Sequence, residues 1–435
     1  MKKTNDITAN GEEMNSLIRR LYPICRSITG KGVRETLSIL QETISLQMHE
    51  VPTGTNVFDW SVPKEWNIRD AYIMNSAGEK IVDFKASNLH VLNYSMPIHR
   101  KVSLAELKNH LFTLPETPDW IPYRTSYYNE NWGFCIPYTT YKDLSDDLYD
   151  VHIDSTLEDG HLTYGEFLVE GSDRQREVLI STHICHPSLC NDNLSGIAVA
   201  AFLARHLSQQ SSLRYSYRFL FIPGTIGSIT WLSLNEKNVT RINHGLVATC
   251  LGDTGRFTYK KSRRGDAEID DVVAYVLENT GNDYKIVDFS PYGYDERQYC
   301  SPGFDLPVGC LTRTTHGEYP QYHTSADDLS FVSSGCLGES LALYREVINV
   351  LEKNRTYLNV NQKCEPQLGR RGLYKSTGGA EQEKNLQLGI LWLLNMSDGK
   401  HTLLEIAQRS GLQCELLSEA ACLLKDAGLL EESTS

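Results

Sequence analysis

Between residues 150 and 353 the chain alternates short runs rich in β-branched and aromatic residues with longer segments of helical character. EVLIST (177–182) precedes DNLSGIAVAAFLARHL (192–207), and YRFLFIP (217–223) precedes GSITWLSLNE (227–236). HGLVATCLG (244–252) precedes DAEIDDVVAYVLENT (266–280), and DLPVGCLTR (305–313) precedes a helix expected near 333–353. Strands joined through helices pair in parallel, so the alternation predicts an α/β fold: a doubly wound, mostly parallel sheet with helices on both faces. Ligands of such sheets gather beyond the carboxyl ends of the strands.

That rule singles out four residues. His183 directly follows its strand, Asp192 opens the next helix, Asp253 follows CLG, and His323 lies in the loop after the last strand. Catalytic zinc is held by imidazole nitrogen and carboxylate oxygen, with one position left for a water whose pKa falls to roughly 7. A carboxylate can also bridge two ions, and here each ion would have one imidazole, with Asp192 between them. One or two zinc ions are therefore expected. Each residue alone has a plainer explanation: Asp192 as a helix N-cap, His183 and His186 as loop histidines, Asp253 as a turn residue before Gly255, Asp327 or Asp328 as a helix start. His186 is a reserve ligand, although its spacing from His183 is not that of an HExxH helix. The argument for a metal is the joint pattern.

At 435 residues the chain is long enough for two or three domains. Its net charge of −13 excludes general affinity for nucleic acid, which depends on clustered Lys and Arg, and fits a neutral or cationic ligand. The N-terminus turns polar and acidic where a signal peptide needs an apolar stretch, and no run approaches ~20 apolar residues. A cytoplasmic protein without a membrane partner is expected. The eleven cysteines include no CxxC pair, as in a reduced compartment. Two helices are expected within 12–45. Residues 57–140, punctuated by prolines, predict a small β-rich insert, which leaves 1–56 and 141–356 as the α/β domain. After a polar, Gly-rich stretch (366–385), residues 366–435 predict three short helices in a winged-helix-like unit with a turn at Ser410–Gly411. Its third helix carries Glu415, Glu419, Lys425 and Asp426, a poor surface for DNA, so packing or homo-oligomerisation is its expected use.

The order His, Asp-Asn-x-Ser-Gly, Asp after a strand, His-Thr-x-x-Asp is similar to that of the co-catalytic zinc aminopeptidases, which include bacterial leucyl aminopeptidase and the glutaminyl cyclases. More closely, RSITGKG (26–32), FDWSVPKEWNIRDAYI (58–73), NLHVLNYSMP (88–97), PYRTSYYNENWGFC (122–135), CHPSLCNDNLSG (185–196) and YDERQYCSPGF (294–304) resemble a bacterial family of aminopeptidase-like proteins. Its members carry an inserted β domain and a C-terminal winged helix, and often accompany polysaccharide or natural-product biosynthesis. The resemblance runs along nearly the whole chain. It implies that His183, Asp192, Asp253 and His323 correspond to zinc ligands.

One departure matters. The aminopeptidases have a Glu-Glu pair shortly before a Gly-Ser, whereas this chain reads FIPGTIGS (221–228). Proton transfer by such a carboxylate is worth about 10²–10⁴-fold in rate. Glu318 and Glu296, on loops expected at the same rim, are the candidate substitutes; the alternative is that they are exposed acids or partners of Arg297 and Arg313. Arg124, Tyr127, Tyr128 and Arg297, with Trp132, Arg263 and Arg264 nearby, are candidates for binding substrate or for packing a lid-like insert. The expected activity is zinc-dependent hydrolysis of an amide in a small peptide or aminoacylated metabolite. The alternative is a non-catalytic or weakly catalytic metal-binding or assembly protein on the same fold.

Overall fold

The computed structural model describes residues 2–145, 147–373 and 381–433. The chain forms two compact units, Met1–Asp270 with Gly281–Ala342 and Asp271–Thr280 with Leu343–Ser435. The first is built on an eight-stranded sheet. Its strands lie in the order Gln47–Pro52, His161–Val169, Tyr215–Ile222, Asp173–His183, Ile242–Ala248, Val308–Thr312, Phe257–Lys260 and Tyr284–Val287.

The four central strands, Tyr215–Ile222 to Val308–Thr312, run parallel, as the alternation predicts. Residues Glu177–His183 are buried without interruption, the pattern of a strand covered on both faces. Leu179 and Ile180 are fully buried, each worth about 1.5–3 kcal/mol of transfer free energy. Antiparallel pairs adjoin the central strands on both sides: His161–Val169 pairs with Tyr215–Ile222 and with Gln47–Pro52, and Phe257–Lys260 pairs with Val308–Thr312, while the outermost strand Tyr284–Val287 runs parallel to Phe257–Lys260. The expected helices are present as Lys2–Leu21, Lys31–Leu40, Gly196–Ser208, Ile226–Asn235, Glu268–Asn279 and Ser334–Lys353.

The insert is a four-stranded antiparallel sheet, Lys80–Asp83, Glu65–Met74, Leu148–Glu158 and Ile98–Ser103. It closes only at Glu158, which pairs with Glu65, so it runs past the boundary at 140 expected from sequence. Leu148–Glu158 alternates buried and half-exposed residues; with Asp150, His152 and Asp154 on its outer face, it lacks the apolar run that marks the central strands. Within NLHVLNYSMP (88–97), Asn88–His90 form a short 3₁₀ turn.

In the second unit, helices Glu381–Met396, Leu403–Ser410 and Cys414–Asp426 accompany a sheet of Asp398–Thr402, Thr356–Asn359 and Leu430–Glu432. Thr402 and Glu405 form a capping box at the start of the middle helix, and Gly411 (φ 72°) ends it in the left-handed region, where the Ser410–Gly411 turn is expected. Residues 374–380 of the expected linker lie outside the described residues. Among the described residues no helix is long and apolar enough to cross a membrane.

Candidate metal centre

His183 is the last residue of the Asp173–His183 strand. The chain then makes a fully buried turn, Cys190–Ser195, before the helix Gly196–Ser208. Asp327 fixes this turn: its two carboxylate oxygens accept the backbone N–H groups of Asn191 at 2.6 Å and Asp192 at 2.9 Å. The Asn193 side-chain amide completes the hold, donating to Thr182 Oγ1 at 2.8 Å and to the carbonyl of His183 at 3.1 Å. Asp192 does not cap the helix. Its Oδ1 lies 2.9 Å from His183 Nε2, and its Oδ2 lies 3.0 Å from His323 Nε2 and 3.9 Å from His186 Nε2.

His323 reaches this point in the left-handed region, φ 55°, which costs a non-glycine residue on the order of 1–3 kcal/mol. A bridge from the insert holds it there. The Tyr123 N–H donates to the His323 carbonyl at 2.7 Å, and the Ser325 N–H to the Ile121 carbonyl at 2.8 Å. Arg26, buried, holds the His186 loop by donating to the carbonyls of His186 at 2.7 Å and Pro187 at 2.8 Å.

Aromatic rings enclose the cluster. Tyr294 stacks on His183 (centroids 5.1 Å apart) and Tyr322 on His323 (3.9 Å), while Tyr123 presents its edge to His186 and His323. Burial works against the charge on Asp192, but His186, His183 and His323 outweigh it and hold the carboxyl well below its usual range. Burial, with the neighbouring His183, His323 and Arg26, outweighs the opposite pull of Asp192 and pushes His186 well below the ordinary imidazole value.

A neutral imidazole and an ionised carboxylate are the forms that bind a transition metal. The ligand atoms of His183, His186 and Asp192 lie within 4.8 Å of one another. Asp192 Oδ2 and His323 Nε2 are both buried and face each other at 3.0 Å, yet among the described residues neither makes a well-directed hydrogen bond. Ligand atoms on a tetrahedral zinc sit about 3.3 Å apart, only a few tenths of an ångström beyond the 2.9 and 3.0 Å separations here. With each oxygen of Asp192 turned to a different imidazole, the donor set fits a borderline-soft divalent ion better than a hard one.

Family comparison reaches the same fold independently. A family model described as a domain of unknown function (DUF4910) matches residues 15–354, and a winged helix-turn-helix model matches 355–432. The chain belongs to the DUF4910 family. A Clostridium acetobutylicum relative, provisionally described as a polysaccharide biosynthesis protein with an aminopeptidase-like domain, is 52% identical over 99% of this chain and 98% of its own. A crystal structure of a provisionally assigned peptidase from the same organism is 51% identical, with a TM-score of 0.93, over 99% of this chain and 98% of that one. BSAP, a zinc aminopeptidase from Bacillus subtilis, is similar in fold (TM-score 0.57, 12% identity, 78% of this chain and 94% of that one).

The DUF4910 domain brings His183, Asp192 and His323 together, and His186 with them. Asp253 does not join them. Its Oδ2 accepts from Asn191 Nδ2 at 2.9 Å, and its Oδ1 from the Gly255 N–H at 2.7 Å and Thr314 Oγ1 at 2.5 Å. The chain turns at Cys250 (φ 49°), whose sulfur lies 3.1 Å from the Tyr294 hydroxyl. Asp253→Ala is therefore expected to lower stability by about 1–3 kcal/mol, because buried donors lose their acceptor, while metal stoichiometry is retained. Denaturant unfolding and metal analysis check this; lost metal at unchanged stability would restore Asp253 as a ligand.

Glu296 is fully buried, ion-paired with Lys260, and accepts the Tyr294 N–H at 3.1 Å. Glu318 is exposed and pairs with Lys285 at 3.4 Å. Arg124 is exposed and donates to the Tyr123 carbonyl. The Tyr127 hydroxyl contacts that of Tyr123 at 2.9 Å, one layer behind the imidazoles, and Tyr128 lies against Trp60 near the surface. Arg297 is half-buried, and its Nε has no hydrogen-bond partner. Sequence reasoning did not single out Tyr123, Tyr294 or Tyr322, nor Asp295. Asp295 is buried next to Glu296, and burial raises its carboxyl to about 6 against the pull of His183 and Ser228.

Proposed function

We propose that this aminopeptidase-like protein is a zinc-dependent hydrolase acting on an amide of a small peptide or aminoacylated metabolite. The observation that carries the reading is Asp192, with one oxygen on His183, the other on His323, and an orphaned contact between buried Asp192 Oδ2 and His323 Nε2. His183, His323, His186 and Asp192 would hold the ion. Zinc, when bound, supplies a Lewis acid for the amide carbonyl and lowers the pKa of water. The chain's own residues do the rest. Asp192 offers both oxygens at once, and Tyr294 and Tyr322 hold the imidazole planes and keep bulk water off them. The name of the Clostridium relative supports a biosynthetic setting, with the substrate an aminoacylated precursor.

A second reading, a metal-binding assembly protein without turnover, is favoured by the lack of any acid in 221–228 and by the pairing of Glu296 with Lys260. Zinc-reconstituted protein assayed on aminoacyl arylamides and short peptides separates the two. The hydrolase is expected to retain at least one equivalent of zinc and to turn over. Less than one equivalent after reconstitution rejects the metal, and full occupancy without turnover leaves the assembly protein.

A further inference from the structure

The hydrolase reading leaves one task unassigned: a carboxylate must take a proton from the attacking water and pass it to the leaving amine. The segment expected to supply it, FIPGTIGS (221–228), has no acid, and Gly224 has no side chain. The place is nevertheless faced by a carboxylate. A Cβ built on Gly224 would lie 3.2 Å from the Cβ of His183, and 3.5 and 3.6 Å from Oδ2 and Oδ1 of Asp295. Asp295 thus stands across from His183 at the spot where a side chain at position 224 would begin.

The surroundings of Asp295 keep it there. Ser228, from the same FIPGTIGS segment, donates its Oγ to Asp295 Oδ1 at 3.0 Å. Oδ2 has no hydrogen-bond donor among the described residues. On one side in sequence, Tyr294 stacks on the His183 ring and sets its hydroxyl against Cys250. On the other, Glu296 is tied to Lys260 and to the backbone of Tyr294. The Glu296–Lys260 pair therefore anchors the loop, and the loop delivers Tyr294 and Asp295 to His183. Asp295 is 2% exposed.

We propose that Asp295 is the proton-carrying carboxylate of this site, supplying from a different loop the group that segment 221–228 lacks. The proposal rests on the hydrolase reading above. Asp295 takes a proton from water as the water oxygen forms its bond to the amide carbon. The carbon–nitrogen bond then breaks, the same proton passes to the departing nitrogen, and the carboxylate is restored. The products are a carboxylic acid and an amine, with no other reactant consumed.

The test uses the full-length, zinc-reconstituted chain and its Asp295→Asn, Asp295→Ala and Asp295→Glu variants. Asp295→Asn is expected to keep the zinc content and the affinity for an amino-acid hydroxamate, measured calorimetrically, while kcat falls about 10²–10⁴-fold at little-changed KM. Asp295→Glu should retain part of the rate, and added formate should restore part of it to Asp295→Ala. A merely structural role would show neither. Should Asp295→Asn fail to fold, Ser228→Ala leaves the carboxylate but removes its donor, and a lowered kcat at constant zinc content is then expected; an unchanged kcat there overturns the proposal. Wild-type turnover with an unaffected Asp295→Asn rejects Asp295 alone, as does zinc lost from that variant. Zinc-loaded wild type that turns over nothing rejects the hydrolase reading and this proposal with it.

Discussion

Asp192→Asn is expected to leave a folded chain that no longer retains zinc. The substitution keeps the volume of the side chain but offers the imidazoles of His183 and His323 one neutral oxygen in place of two ionised ones. Asp192 is also the acid around which His183, His186 and His323 are gathered, so the site loses its negative charge along with its bridge. A ligand present at 100 times its Kd stabilises the folded state by about 2.7 kcal/mol. Wild type should show a zinc-dependent rise in Tm corresponding to a stabilisation of that order, and Asp192→Asn should show none. Without zinc the variant should unfold at a lower temperature than wild type, because in the folded state the three histidines outweigh the burial that opposes the charge on Asp192, and the amide gives up that net attraction. Scanning calorimetry with and without zinc, together with metal analysis, measures both. An equal zinc-dependent shift in the variant would place the ion elsewhere.

The parts of this molecule that were legible in sequence are those where one local pattern decides the outcome. EVLIST has few readings other than a strand buried on both faces, so the sheet centre and the position of His183 at its end followed from composition and order alone. His323 and Asp192 were legible for the same reason, as ligand-type residues at junctions of predicted elements. The edges were not. Gln47–Pro52 is mostly exposed or half-exposed, and its pairing with His161–Val169 joins segments on either side of the insert. Within the site, spacing could not show which residue after the Ile242–Ala248 strand faces the rim. A left-handed Cys250 turns its own sulfur toward Tyr294 and Tyr319 and leaves Asp253 to Asn191 and Thr314. Asp295 and Glu296 pose the same difficulty one residue apart. Which of two adjacent acids faces His183 depends on where Lys260 lies, and Lys260 comes from a short strand on the far side of the sheet.

Asp327 shows the limit most sharply, and its removal carries the second large effect. Sequence allowed either Asp327 or Asp328 to begin a helix; in the structure the two do different things. Asp328 accepts locally from Ser330, at 2.8 Å from its N–H and 2.6 Å from its hydroxyl. Asp327, fully buried, accepts the N–H groups of Asn191 and Asp192, and its carbonyl accepts that of Cys190 at 2.9 Å. Asp327→Ala leaves two buried backbone donors without acceptors, at about 1–3 kcal/mol each. It also frees the turn that aims Asp192, and loss of such a supporting contact typically lowers metal affinity about 10–100-fold. Both effects are expected together: a lower denaturation midpoint and a weaker zinc affinity in competition with a chelator. Asp328→Ala should leave zinc affinity as it is, since its contacts are confined to its own turn. If the two variants weaken zinc binding equally, the hold of Asp327 on the backbone is not what orients Asp192, and the geometry of the site must be set by His183 and His323 themselves.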